Sequence, residues 1–401
     1  MKKKISIVGL GYIGLPTALL FASNGYFVNA YDKDEEKIKK LSKKIAPFKE
    51  KSLNKYFAKS LKKKNINFSN NLVESDIYII CVPTPLTNNK KPNMNYVNKA
   101  TQEITKYLKD NDLIILESTS PVGTTNKIND YISVNRPNIK NIKIAYCPER
   151  VLPGNIFFEL INNKRIIGGI NKKSSLAASA LYNKICRGKI VLTSSNSAEF
   201  VKLLENTYRD INIALSNEIS MLSYEMNINV YDVIKMANLH PRVNIMNPGP
   251  GVGGHCIPVD PWFLCDENFK NNKIIKLSRK INSNKTYWVK EQINRHINNF
   301  KKNNKKNPQI GILGITYKPD CDDLRESPSL EILRSIKHKK LFYHDPFHKK
   351  IKKFNYLNFN KIIKLSDILI ILVKNKFYIK NKSFILKNQI KVLDFCNFYE
   401  N

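Results

Sequence analysis

The sequence predicts an α/β protein with two doubly wound domains, joined by a long central helix and a helical middle domain. Three observations carry that expectation. Over the first 195 residues, short β-branched runs alternate with amphipathic helical patterns, which implies a parallel sheet with right-handed crossovers. From Ala198 to about Ile228 there is neither Gly nor Pro, and the pattern becomes one long helix. After the polar run at 299–308, Gln309–Leu313 begins a second αβ alternation. The expected domains are 1–197, 198–300 and 301–401.

Taken in order, Ile5–Val8, Phe27–Tyr31, Ile77–Val82, Leu113–Leu116 and Ile142–Ala145 read as strands. Segments 12–24, 34–44, 95–108 and 123–133 read as the helices between them. The first strand runs into Gly9-Leu10-Gly11-Tyr12-Ile13-Gly14, a G-x-G-x-x-G turn opening a helix. The second strand ends at Asp32, 23 residues after Gly9. That spacing suits a Rossmann-like site, with pyrophosphate at the helix N-terminus and a carboxylate on the ribose 2′-hydroxyl. A carboxylate would repel a 2′-phosphate, so NAD is expected rather than NADP. In the long helix, apolar positions cover more than one side, as expected of a helix buried between domains or subunits. Lys202 and Asn206 share one face of it, and Asp210 and Asn217 continue that polar stripe. Further helices are expected at 231–238 and 273–300, and further strands near 340–343, 367–373 and 391–395.

The formal net charge is +34. It invites nucleic-acid binding, but only ten of the 67 basic residues are Arg, the residue that dominates specific base and phosphate recognition. The lysines are scattered among asparagines along the whole chain, so no nucleic-acid partner is expected, although the positive field would favour an anionic substrate. Seven cysteines, widely spaced and without C-x-x-C, argue against disulfides or structural zinc and for a reducing compartment. Met1–Lys4 and the apolar run after it mimic a secretion signal, but Gly9, Gly11, Gly14 and Pro16 interrupt that run. No other stretch reaches the roughly 18 apolar residues that span a bilayer. A cytoplasmic protein with no membrane contact is therefore expected, and no metal site.

The chain has only 15 glycines, yet four fall between 249 and 254 and lead straight into His255-Cys256-Ile257-Pro258-Val259-Asp260. One reading is a tight loop before a buried thiol; the other is a nucleophile on a rigid shelf. A nicotinamide site plus an exposed cysteine suggests oxidation of an aldehyde to an acid through a thiohemiacetal. A helix beginning near Ile257-Pro258 would put Cys256 at its positive end and lower the thiol pKa. Asp260 could then serve as base or water-holder, and Lys202 as the cation facing a developing oxyanion.

These segments, with Glu117–Gly123, Cys147–Gly154 and Lys318-Pro319-Asp320-Cys321-Asp322-Asp323-Leu324-Arg325-Glu326-Ser327-Pro328, resemble the UDP-sugar 6-dehydrogenase family. The resemblance implies a four-electron oxidation of a C6 hydroxyl to a carboxylate with two NAD and one water. It implies cofactor contacts from Gly9, Gly11, Tyr12, Ile13, Gly14, Asp32, Thr84 and Thr119. Cys256 is then the nucleophile, Lys202 and Asn206 hold the oxyanion, Asp260 moves a proton, and Thr119 and Glu149 orient the hydrolytic water. Arg150, Val151, Arg209, His240, Arg242, Asn244, Gly253, Lys318 and Arg325 would bind the UDP-sugar with Lys202 and Asn206. For Lys318 and Arg325 an ion-pair cluster with Asp322, Asp323 and Glu326 is an alternative. His240–Asn244 and Gly254–Trp262 resemble the branch acting on UDP-N-acetylmannosamine. UDP-glucose enzymes tend to show Lys before the loop aspartate, where this chain has Val259, and a second carboxylate where it has Pro153. The alternatives are UDP-glucose or UDP-N-acetylglucosamine as substrate, and less favoured, a basic nucleic-acid-binding protein. A homodimer through the central helix is expected, making a precursor of cell-surface polysaccharide. The C-terminal end departs from the family, with Lys374-Asn375 where relatives carry an acid and a His.

Overall fold

A computed structural model describes residues 3–48, 50–152, 154–265, 269–388 and 390–399. The chain divides into two compact units, Met1–Leu204 and Glu205–Asn401. In the first, β1 (Lys4–Val8), β2 (Phe27–Tyr31), β3 (Ile66–Ser69), β4 (Ile77–Ile80), β5 (Leu113–Leu116), β6 (Lys143–Tyr146), β7 (Arg165–Gly169) and β8 (Ile190–Ser194) form one sheet. Its order is β3-β2-β1-β4-β5-β6-β7-β8, with β1 to β6 parallel, so the strand order reverses beside β1 as in dinucleotide-binding folds. The six aliphatics of β1 and β4, Ile5, Ile7, Val8, Ile77, Ile79 and Ile80, are all buried, as in a parallel sheet covered on both faces.

The expected parallel sheet is broken once: β7 runs antiparallel to β6. The connection between them contains only the helix Ile156–Asn162, about 10 Å long, too short to carry the chain back across the sheet. The strands β3 and β8 and the helix Leu53–Lys62 were not among the expected elements. Val191, Leu192 and Ser194 of the edge strand β8 are exposed, so burial leaves little apolar alternation to read there.

In the second unit, β9 (Ile310–Leu313), β10 (Leu341–His344), β11 (Asn355–Tyr356), β12 (Ile368–Ile371) and β13 (Lys391–Asp394) give the parallel order β11-β10-β9-β12-β13. The helix Lys273–Asn304 packs Val289, Ile293 and Ile297 into the core of this sheet. It runs past residue 299, where a linker was expected, because its Lys and Asn residues face solvent without breaking the turn. It stops at Lys305, which takes a left-handed backbone.

The long helix spans Ser195–Glu225 rather than 198–228, and Asn227 beyond it is left-handed, with φ 54°. Along its part in the second unit, the usual amphipathic order is inverted. Thr207, Asp210, Ser216, Asn217, Ser220 and Ser223 are buried, whereas Tyr208, Leu215 and Leu222 are exposed. Part of this polar face pairs with the Lys273–Asn304 helix. Asp210 accepts from Arg279 at 2.5 Å and from Asn282 at 2.8 Å, and Asn217 donates to Asn282 at 2.9 Å. Lys285 donates to Ser220 at 2.6 Å and lies 4.0 Å from the Trp288 ring centroid. No helix among the described residues is long and apolar enough to cross a membrane.

Candidate active site

The glycine turn after β1 is built for close approach. Gly9 has φ +97°, and a Cβ there would lie 2.8 Å from the Cys81 carbonyl oxygen. A Cβ on Gly14 would fall 1.8 Å from the Gly9 carbonyl oxygen, so no larger residue fits. Ile13 is the N-cap residue of the helix Gly14–Ser23, in whose first turn Leu15 N–H donates to the Gly11 carbonyl at 3.2 Å and Pro16 has no N–H, and Tyr12 stacks on Phe48 at 4.1 Å. Asp32 is fixed at the end of β2: one oxygen accepts from Leu10 N–H at 2.8 Å and Lys37 Nζ at 2.7 Å, the other from Asp34 N–H at 3.0 Å. The second oxygen, with one donor of its own, keeps acceptor capacity for a ribose hydroxyl. A backbone cradle, a helix N-terminus and an acid at this spacing fit a dinucleotide such as NAD.

Thr84 is buried and Thr119 half-buried, in the turns after β4 and β5. Ser118 Oγ donates to the Val82 carbonyl at 2.7 Å and Ser120 Oγ to the Ser118 carbonyl at 2.9 Å, which fixes the turn holding Thr119. Just beyond it, Glu199 accepts from Gly123 N–H, Thr125 N–H and Thr125 Oγ at 2.6 to 2.8 Å, capping the helix Thr124–Asn135.

A second, drier cluster gathers at the ends of β4, β5 and β6. Glu149 is buried, with one oxygen accepting from Arg150 N–H at 2.7 Å and the other from Arg165 at 3.2 Å. Arg165 also reaches the Cys147 sulfur at 3.5 Å and Glu117 at 3.8 Å. Glu117 in turn accepts from Tyr182 Oη at 2.5 Å and the Cys81 thiol at 3.1 Å. Burial first, then the charge of Glu149, pushes Glu117 above the ordinary carboxylate range, while Arg165 opposes both. Burial pushes the Cys147 thiol up to about 12, so it is an inert sulfur. Arg150 and Val151 are half-buried; Pro153 lies outside the described residues.

In the second unit the glycine loop rests on the segment after β9. Gly254 has φ +91°, and a Cβ on it would meet the Tyr317 ring at 2.8 Å. Its N–H donates to the Arg325 carbonyl at 3.1 Å, and a Cβ on Gly253 would lie 2.5 Å from the Glu326 carbonyl oxygen. Burial, then Cys321, Asp323 and Cys256, pushes the Tyr317 phenol up to about 12. Cys256 is exposed at the end of this shelf and forms no disulfide. The expected helix at Ile257-Pro258 is absent. A five-residue 3-10 turn, Asp260–Leu264, follows instead, and the Cys256 carbonyl accepts from Val259 N–H at 3.0 Å and Asp260 N–H at 2.8 Å. Pro258 and Pro261 bracket that start and cannot donate to a regular helical ladder. A helix dipole therefore does not act on the thiol.

Asp260 is buried and accepts from Asn206 Nδ2 at 2.6 Å, which joins two of the expected site residues. Lys202 is buried one turn before Asn206 on the same helix. Arg325 grips Asp323 with three contacts at 2.7 to 3.1 Å, so the ion-pair reading of that segment holds for this pair. Lys318 lies 5.5 Å from the Tyr317 ring centroid. Arg242 packs on His240, with nitrogens 3.3 and 3.4 Å apart, on an exposed turn shared with Asn244; Arg209 is exposed. Asn375, at the divergent C-terminal end, is fully buried and accepts from Asp320 N–H at 2.7 Å, so it anchors the 318–326 segment. Arg165 and Glu199 escaped sequence reasoning. Among the described residues, no group of three His, Cys, Asp or Glu stands close enough to hold a metal.

The sequence matches three domains of one family, UDP-glucose/GDP-mannose dehydrogenase: its NAD binding domain over residues 3–186, its central domain over 196–284 and its UDP binding domain over 311–401. A UDP-N-acetyl-D-mannosamine dehydrogenase of Methanococcus aeolicus is 46% identical over 408 residues, covering 98% of this chain and 91% of that protein. The structure of a UDP-D-ManNAc dehydrogenase from Pyrococcus horikoshii superposes with TM-score 0.88 at 34% identity, over 99% of this chain and 96% of that one. The UDP-N-acetyl-mannosamine dehydrogenase Cap5O from S. aureus gives TM-score 0.89 at 35% identity, over 98% and 95%.

Proposed function

Since the chain belongs to the UDP-glucose/GDP-mannose dehydrogenase family, we propose that it oxidises UDP-N-acetyl-D-mannosamine at C6 to the uronate, using NAD. The observation that carries the sugar assignment is 46% identity, over 98% of the chain, to an enzyme named for that substrate. The domains divide the work: 1–197 binds NAD, 198–300 carries the nucleophile loop, and 301–401 binds UDP.

When bound, NAD supplies the hydride acceptor for each of the two oxidations. The chain's residues do the rest. The Cys256 thiolate adds to the C6 aldehyde and gives a thiohemiacetal, whose oxygen takes hydrogen bonds from Lys202 and Asn206. Asp260, held by Asn206 at 2.6 Å, accepts the proton of the alcohol or of the water. Loss of the second hydride leaves a thioester on Cys256. Thr119 and Glu149 orient a water that attacks it, releasing the acid and returning the thiol. Arg150, Val151, Arg209, His240, Arg242, Asn244, Gly253, Lys318 and Arg325 contact the UDP-sugar, the cations facing its pyrophosphate.

The working molecule is a homodimer in the cytoplasm. Tyr208, Leu215 and Leu222, exposed at seven-residue spacing on one helix, form an apolar seam that a second copy would cover. The product fits a precursor of cell-surface polysaccharide.

Initial rates of NADH formation with each UDP-sugar test the sugar. UDP-N-acetylmannosamine is expected to exceed UDP-glucose and UDP-N-acetylglucosamine by at least about tenfold in kcat/KM; the reverse order refutes the assignment. Cys256→Ser should form no acid yet bind NAD with unchanged affinity, and a Cys256→Ser enzyme that still makes acid rules out the covalent route.

A further inference from the structure

We propose that Arg165 is a positioning residue for thioester hydrolysis: from a buried strand end it holds the Glu149 carboxylate aimed at the water. The proposal rests on Glu149 orienting the hydrolytic water.

The reversal of β7 is what delivers this arginine. Tyr146 pairs with Gly168 and Ala145 with Gly169. Continuing that antiparallel register beyond the end of β6 sets Arg165 opposite Glu149. The observed contact agrees, with Nη2 3.2 Å from Oε2 of Glu149, while Oε1 is held by Arg150 N–H at 2.7 Å. Both carboxylate oxygens are thus fixed, one by the Arg165 guanidinium and one by the Arg150 backbone.

The charged and titratable groups around this pair come from several elements. Arg165 comes from β7, Glu117 from the end of β5, Cys147 from the end of β6, and Cys81 from the end of β4. Tyr182 comes from the helix Lys172–Tyr182, its ring centroid 4.5 Å from the guanidinium carbon. Arg165, Glu117, Glu149, Cys147 and Tyr182 are all nine-tenths or more buried. The Arg165 guanidinium stands 3.2 Å from Glu149 and 3.8 Å from Glu117, so one cation serves both carboxylates. Removing the guanidinium takes away the donor that fixes one oxygen of Glu149 in this buried place. A planar guanidinium can also touch Glu149, Cys147 and the Tyr182 face together, which a lysine ammonium cannot.

The test uses the full chain with NAD and UDP-N-acetylmannosamine, comparing Arg165→Gln, Arg165→Lys and Glu149→Gln by stopped flow and acid-quench mass spectrometry. In Arg165→Gln, rapid formation of two NADH per chain should persist while steady-state turnover falls about a hundredfold and acyl-enzyme accumulates on Cys256. Arg165→Lys keeps the charge and loses the fork, so hydrolysis should slow only about tenfold and less acyl-enzyme should accumulate. If Glu149→Gln slows hydrolysis but a folded Arg165→Gln does not accumulate acyl-enzyme, the proposal is overturned and the role of Glu149 stands. If Arg165→Gln does not fold, normal hydrolysis in Arg165→Lys overturns it. Normal hydrolysis in Glu149→Gln removes the role of Glu149, and the proposal with it.

Discussion

Lys285 has a cation's chemistry in a place that disfavours a cation. It is 4% exposed, its Nζ meets Ser220 and the Trp288 face, and burial lowers its pKa to about 7. In the unfolded chain it titrates near the ordinary lysine value of about 10.4. Between those values the unfolded state binds more protons, so this group makes stability rise as pH rises from about 7 to about 10. Below about 7 both states are protonated and the full penalty applies. Lys285→Met should therefore raise Tm by a few degrees near neutral pH and flatten its pH dependence, measured by scanning fluorimetry between pH 6 and 10. Ser220 remains satisfied in that variant, because its hydroxyl already donates to the Asn217 carbonyl. An unchanged slope would show that Lys285 is charged in the fold. At this scale the sequence was legible where chemistry is written locally. Gly253, Gly254, Cys256 and Asp260 stand within eight residues, and Gly9 to Gly14 within six. Arg165 and Glu199 were not legible, because their partners stand 16 and 74 to 76 residues away, and only the folded chain brings them together.

The helix Thr124–Asn135 is capped from outside. Gly123 at its N-cap has no side chain to offer, and fully buried Glu199 of another helix takes two of its free N–H groups. Glu199→Ala leaves those donors buried without an acceptor, at about 2 kcal/mol. Because the same turn carries Thr119, the KM for NAD should rise together with a fall in Tm; a lower Tm with unchanged KM would make the cap purely structural. Elements were legible where one period persists. Interior strands such as Ile77–Ile80 and Ile368–Ile371 announce themselves as aliphatic runs. The short edge strands β3 and β11 lack such runs. The helix expected after Cys256 failed for a local reason, since two prolines within four residues shorten it to one 3-10 turn.

On the scale of the whole molecule, the long helix buries its polar side and shows its apolar one. A lone chain would leave Tyr208, Leu215 and Leu222 in water, which costs about 25 cal/mol per Å² of apolar surface. Light scattering should give twice the 46.3 kDa chain mass. Leu215→Glu, which places a charge in the middle of the seam, should yield monomers and lower activity; a dimer that survives Leu215→Glu must use another face. The chain's +34 charge gives that assembly long-range self-repulsion, so the seam needs apolar contact to close.

The reversed strand β7 has a consequence for how this molecule tolerates change. A parallel strand would present its last residue at the sheet's working edge and hand the job to a loop. β7 presents its first residue there, backed by five residues paired with β8. The fixed charge thus belongs to the scaffold, and Val151 and Leu152, in the connection that carries Glu149, hold no part of it. New side chains could be tried there for a different sugar without dismantling the group that keeps Glu149 in order.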